Sequence, residues 1–229
     1  MNKIILAGGG NADQSNLVDE YFSNLNPNMN MLFIPQAIAP KQSTFEEAYG
    51  WIQKPEAFQN MSITIWKRLH DKTIEDIREF DTIYIGGGNT YELLHQLRES
   101  GFLSLISEAI KMDKIIYGIS AGAYVLGKDI GERLPSDDKN KNAIGLDDLS
   151  ALDLLNGYKV HCHYTPDHDK DLNDFERKHQ APLIAIPETS GVVVEDSHCI
   201  VVGHEPVSIF SADGTKKVHQ PNSSFSLER

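Results

Sequence analysis

The chain predicts an α/β fold with a mostly parallel central sheet and an antiparallel extension toward its C-terminus. Three observations carry this. Runs such as Lys3-Ile4-Ile5-Leu6-Ala7 and Leu183-Ile184-Ala185-Ile186 are apolar without alternation, as in strands buried on both faces. Stretches with apolar residues at helical spacing stand between such runs, giving the βαβ rhythm of a parallel sheet. After residue 190 the period changes to two, and Gly/Asp/Ser/His clusters punctuate it as hairpin turns do.

The 229 residues suffice for a full core and are read as one domain, 1–229. No apolar run reaches 18 residues, and Met1-Asn2-Lys3 leads into a strand with no signal-peptide pattern, so a cytoplasmic protein is expected. A net charge of −12 argues against a nucleic-acid partner, which requires clustered Lys and Arg. Cys162 and Cys199 are too few for a disulfide framework, lack Cys-x-x-Cys spacing, and read as buried thiols.

The first strand, Lys3 to Ala7, ends at Gly8-Gly9-Gly10-Asn11. A dinucleotide fingerprint is not met there, because Asp13 stands where the last glycine belongs, and no cofactor is expected. A helix from about Ser15 to Ser23 places Leu17, Val18, Tyr21 and Phe22 on one face, until Asn26-Pro27-Asn28 breaks it. Met31 to Pro35 is the second strand. Thr44 caps a helix carrying Glu46 and Glu47 in its first turn. Ile63 to Trp66 and Thr82 to Ile85 are further strands, with a short helix over Thr73 to Ile77 between them. The second of these strands runs into Gly86-Gly87-Gly88-Asn89-Thr90 and a helix patterned by Leu93, Leu94, Leu97 and Phe102, with Gly101 near its end. Ile115 to Tyr117 is a strand, and Ala121 to Leu126 opens a helix.

Beyond that helix, Lys128 to Ser150 is polar and long for a loop, which suits either a lid, a recognition segment or a solvated excursion. Tyr158 to Tyr164 reads as a strand, Leu172 to Gln180 as a charged helix, and Leu183 to Pro187 as another buried strand. Gly191 to Glu195, Cys199 to Val202 and Val207 to Ser211 supply the antiparallel extension, and the tail from Pro221 is disordered or bound at an edge.

Between the strand at Tyr117 and the helix at Ala121 lies Gly118-Ile119-Ser120-Ala121-Gly122, the pattern of a nucleophile elbow. Such a turn tolerates only tiny residues two before and two after its apex. It lifts the Ser120 hydroxyl out of the sheet and aims the Ala121 N–H at the same space, which serves acyl transfer. The Gly86-Gly87-Gly88 loop precedes the elbow in βα order, so right-handed crossovers put both on the carboxyl edge of one sheet. There its N–H groups can donate to an oxyanion, and Asn89, closing the loop, is the candidate substrate contact.

A serine needs a base, and the base needs an acid. His161, His163 and His168 cluster at a strand end on what should be the edge that carries Ser120. His161 and His163 share a face of a strand, so a His-x-His metal site is the competing reading. With Ser120 present, no metal is expected. For the acid, Glu188 follows a buried strand and is favoured, while Asp137 and Asp138 in the polar excursion stay open.

Ile83 to Thr90, Tyr117 to Ala123, His163-Tyr164-Thr165 and Phe33 to Ala37 together resemble the aspartyl dipeptidase (peptidase E) and cyanophycinase family of serine peptidases, from Met1 to about Phe210. That resemblance implies a three-layer α/β/α fold of the class I glutamine amidotransferase kind, with serine replacing the usual cysteine nucleophile. It assigns Ser120 as nucleophile, His163 as base, Gly88 and Ala121 as oxyanion-hole amides, and Glu188 as the acid, with an Asp after the elbow as the alternative. Ile119 stands where those dipeptidases carry a bulky aromatic residue. An aspartyl substrate needs a cation, for which Lys128, Arg133, Lys170 and Arg177 are available. The expected partners are a small peptide substrate and a second copy of the chain in a homodimer, with no membrane. The competing function is a catalytically silent, ligand-binding or regulatory member of the same fold.

Overall fold

Strands with apolar side chains on both faces need helices above and below them, and the computed structural model supplies both layers. It describes residues 3–26, 29–38, 44–131, 141–211 and 213–228, excluding the side chains of residues 175–179. Strands β1 (Lys3–Ala7), β2 (Asn30–Ile34), β3 (Ser62–Ile65), β4 (Thr82–Ile85) and β5 (Ile115–Ile119) run parallel in the order β3-β2-β4-β5-β1. Alternate residues of β1 feed opposite cores. Ile5 and Ala7 join Phe22, Phe33, Tyr84 and Tyr117 beneath α1 (Asn16–Leu25) and α2 (Phe45–Ile52). Ile4 and Leu6 join the other layer, where α3 (Ile74–Ile77), α4 (Thr90–Glu99) and α5 (Phe102–Lys111) pack.

Local chemistry sets the helix ends. Thr44 and Glu47 form a reciprocal capping box, the Glu47 N–H reaching Thr44 Oγ1 at 3.1 Å and the Thr44 N–H reaching Glu47 Oε2 at 2.7 Å. Gly101 takes a left-handed φ of 73° and divides what the sequence presents as one helix into α4 and α5.

The C-terminal strands divide between two sheets. β8 (Ser190–Glu195) pairs antiparallel with β1, and β9 (His198–Gly203) and β12 (Ser224–Ser226) continue outward, completing an eight-stranded sheet. The tail is therefore edge-bound. β6 (Lys159–Cys162) and β7 (Leu183–Ile186), flanking α7 (Asp169–His179), belong instead to a second, four-stranded sheet ordered β11-β10-β7-β6, with β10 at Val207–Phe210 and β11 at Lys216–His219. The histidine strand thus lies outside the sheet that carries Ser120, and the run at Val207 is not part of the main sheet's extension. The chain changes sheet across Pro187-Glu188-Thr189, where proline cannot donate to a ladder.

The sheets are joined at the carboxyl ends of the parallel strands. The His163 N–H donates across to Gly8 O at 2.9 Å, while the Gly8 N–H donates within the main sheet to Ser190 O at 3.0 Å. Residues 132–140 of the polar excursion, including Asp137 and Asp138, lie outside the described residues. Beyond them, Lys141 O accepts from Asn89 Nδ2 at 3.2 Å, Leu146 and Leu149 pack on the main core, and Arg98 Nη1 donates to Asp148 O at 2.6 Å.

Candidate active site

Three adjacent strands end at one level. Register pairs Ala7 with Ile119 and Ile85 with Gly118, so the loops starting at Gly8 and Gly86 flank Ser120 on its two sides. Ser120 has φ 51° and ψ −114°, a conformation that costs an L-residue energy and persists only where its surroundings enforce it. Its N–H donates to Ala7 O at 3.0 Å, while its carbonyl accepts from Ala123 and Tyr124 in the short helix α6 (Ala121–Tyr124). The turn is tight enough that a Cβ on Gly122 would stand 2.1 Å from Ile85 O, which excludes any larger residue.

His163 comes from the second sheet. One residue past β6, it adopts φ 56°, which swings its ring out of line with the strand and toward Ser120. Nε2 stands 2.8 Å from Ser120 Oγ, and Nδ1 stands 2.7 Å from Glu188 Oε1. In the tautomer this chain requires, Nδ1–H donates to the carboxylate and Nε2 accepts from the serine hydroxyl. His161 does not share this orientation. Its Nδ1 is 3.3 Å from Tyr124 Oη and its Nε2 is 3.1 Å from His168 Nδ1, so the two histidines diverge.

Two supports of this constellation carry no motif. Gln14 Nε2 donates to Glu188 Oε2 at 2.9 Å, while its own Oε1 accepts the Asn11 N–H at 3.0 Å. Gly9 lies flat against the histidine: a Cβ there would be 2.3 Å from His163 Cε1. The loop after β1, legible in sequence only as a strand end, therefore seats the His163 ring and reaches Glu188.

On the other side, a Cβ on Gly87 would lie 3.2 Å from Ser120 Cβ, so this loop backs directly on the serine. Gly88 has φ 141°, and the loop is pinned by the Asn89 N–H to Ala37 O at 2.7 Å. The Asn89 side chain is engaged at both ends, capping α4 through Oδ1 to the Glu92 N–H at 3.0 Å and donating through Nδ2 to Lys141 O at 3.2 Å. Ala121 opens α6, where a helix leaves its first N–H groups without intrahelical acceptors.

The chain from Ile4 to Val202 matches the model of peptidase family S51. It belongs to that family. This S51 chain is 30% identical over 156 residues to peptidase E of Shewanella putrefaciens, covering 63% of each protein, so the match spans less than two thirds of that relative's length. Peptidase E of Haemophilus influenzae is 28% identical over 202 residues, 85% of this chain and 83% of that one. The crystal structure of a peptidase from an acI-B1 Actinobacterium superposes with a TM-score of 0.69 at 20% identity, covering 99% of this chain and 97% of that one, a likeness of fold.

A cavity of about 470 Å³ opens beside Ser120 and His163. Gly86 to Gly88, Phe33 and Tyr84 line it from the main sheet, and Trp51 and Lys54 from the segment around α2. Among its described lining residues Lys54 is the lysine or arginine present, whereas Lys128 and Lys170 stand elsewhere. Arg133 and the Arg177 side chain fall outside the described residues. No helix among the described residues is long and apolar enough to cross a membrane.

Proposed function

We propose that this S51 chain is a serine peptidase of small peptides, working through an acyl-enzyme on Ser120. The observation that carries the reading is the continuous hydrogen-bonded chain from Ser120 through His163 to Glu188, set on a strained strand-to-helix turn. In this reading His163 Nε2 takes the hydroxyl proton as Oγ attacks the scissile carbonyl. Glu188 stabilises the imidazolium, and His163 then returns the proton to the departing amine. Water repeats the sequence on the ester. The N–H groups of Ala121 and Gly88 receive the developing oxyanion, each worth roughly 3 kcal/mol in such sites. Asn89, already engaged at both ends, contributes to substrate binding by holding this loop in place.

Dipeptides with an N-terminal aspartate are the proposed substrates, with Lys54 as the pocket cation for their side-chain carboxylate. The test is turnover of a dipeptide panel by the wild type and by Ser120→Ala. Wild-type hydrolysis of aspartyl dipeptides that the variant lacks supports the reading. Equal turnover by the two proteins removes Ser120 from the chemistry, and no turnover of any peptide by the wild type leaves the ligand-binding reading.

A further inference from the structure

We propose that Asp19 forms a subsite for an ammonium group of the substrate. This rests on the peptidase reading above and goes beyond its triad, its oxyanion donors and Lys54. Asp19 sits on α1 with 2% of its surface exposed, against Phe22, Tyr84 and Tyr117 of the core beneath that helix. Ser15 Oγ donates to its Oδ2 at 2.8 Å and Tyr117 Oη donates to its Oδ1 at 2.8 Å. Each carboxylate oxygen accepts about two hydrogen bonds, so two neutral donors leave acceptor capacity unused. Among the described residues no Lys, Arg or His is paired with it.

A buried carboxylate without a counter-charge is costly. Asp19 and Ser15 line the same cavity as Ser120 and His163. Asp19 therefore borders a space that a substrate enters, with its carboxyl orientation fixed by two hydroxyls. An ammonium group entering there finds an acceptor already desolvated and held in place, where an ion pair is worth more than at the surface. Lys54 lines the same cavity, so its walls hold a group that suits an acid as well as one that suits an amine.

Burial raises the Asp19 carboxyl to about 6, against the lowering influence of its two hydroxyl donors. Bound ammonium favours the ionised form, so occupancy and ionisation of Asp19 are coupled. The other groups facing it are Tyr84 and Tyr117, phenols that burial and Asp19 itself push far up, and which stay neutral.

Two ammonium sources have this chemistry, the α-amino group and a lysine side chain. The experiment separates them by calorimetric binding to Ser120→Ala protein, with Asp-Leu against N-acetyl-Asp-Leu and Lys-Leu against norleucyl-Leu. At pH 7.5 the ammonium-bearing member of at least one pair should bind about ten- to a hundredfold more tightly. The reference member of each pair lacks one ammonium, the α-amino group in N-acetyl-Asp-Leu and the side-chain amine in norleucyl-Leu. Adding Asp19→Asn should reduce the ratio to near one without weakening that reference member. Should the double variant fail to fold, the same ratio followed down to about pH 4 decides, because protonation of Asp19 should erase it whereas protonation of the ligand's α-amino group can only raise it. Ratios within twofold for both pairs overturn the proposal, as does a preference that survives both Asp19→Asn and acid. Binding is read without turnover, so failure here is distinct from failure of the peptidase reading, which the wild-type turnover assay detects.

Discussion

A residue just beyond a strand is not aimed by the pleat, and His163 is aimed instead by its own left-handed φ and by Gly9 against its ring. Its partner Glu188 is held by Gln14 at the oxygen the histidine does not use. Glu188→Gln keeps the shape and removes the charge that stabilises the imidazolium, so kcat should fall by about three to four orders of magnitude on any substrate the protein cleaves. Gln14→Met should lower kcat by about tenfold with KM little changed, and the weaker loss separates an orienting group from a reacting one. Asp19 yields a stability prediction. Its folded pKa of about 6 lies above the ordinary 3.8, so the folded state binds more protons and stability falls as pH rises from 4 to 6. The cost at neutral pH is on the order of 3 kcal/mol with the two hydroxyl bonds already included. Asp19→Asn should therefore match or exceed the wild type in urea at pH 7.5 and lose that advantage below pH 4. Ser120 and Glu188 stood out in sequence as an elbow apex and a carboxylate ending an apolar run. Gln14 gave no signal, being a lone amide in a loop whose partner is 174 positions away. Asp19 gave one that could have been read: an acid on the apolar face of an amphipathic helix, between Val18 and Phe22.

At the scale of elements, the site is made of loop ends: the glycine turns after β1 and β4, the elbow after β5, and the crossing from β7 to β8. Gly9→Ala should push the His163 ring out of reach of Ser120 and cut kcat by about a hundredfold or more, with circular dichroism little altered. Gly88 is a poorer probe of the oxyanion donor, because a Cβ there would stand 2.3 Å from Ala37 O and the whole loop would have to move. The glycine loop before α4 was legible because it sits between a patterned strand and a patterned helix. The loop after β1 has the same composition, yet its contact with His163 was not legible, since nothing local encodes a neighbour so distant in the chain. The break at Gly101 was marked by the residue itself, but apolar spacing continues on both sides and hides that two helices result.

At the scale of the molecule, apolar runs told where strands lie but not which sheet each would join. β7 looks like a core strand of the main sheet because it is apolar on both faces, while β6 carries Lys159 and His161 on one face and Val160 and Cys162 on the other. They lie in the smaller sheet and still share a core with the larger, as Val160, Ile184, Ile186, Val207 and Ile209 pack in one cluster with Ile4, Leu6 and Ile116. We read the chain as one folding unit on that ground. Unfolding in urea should then be a single transition, coincident by Trp fluorescence and by circular dichroism. Two separated transitions would mean that the smaller sheet folds by itself, and that His163 and Glu188 can be lost while Ser120 stays in place.

The central claim is that His163 activates Ser120 as a nucleophile with Glu188 behind it. Intact-mass measurement after reaction with a fluorophosphonate tests it most directly, because phosphonylation needs an activated hydroxyl and no knowledge of the substrate. The account predicts one adduct per chain, mapped to Ser120, absent in Ser120→Ala and slowed by at least a hundredfold in His163→Ala and Glu188→Gln. A folded wild-type protein that takes up no label, or labelling that proceeds unchanged in His163→Ala, would contradict it.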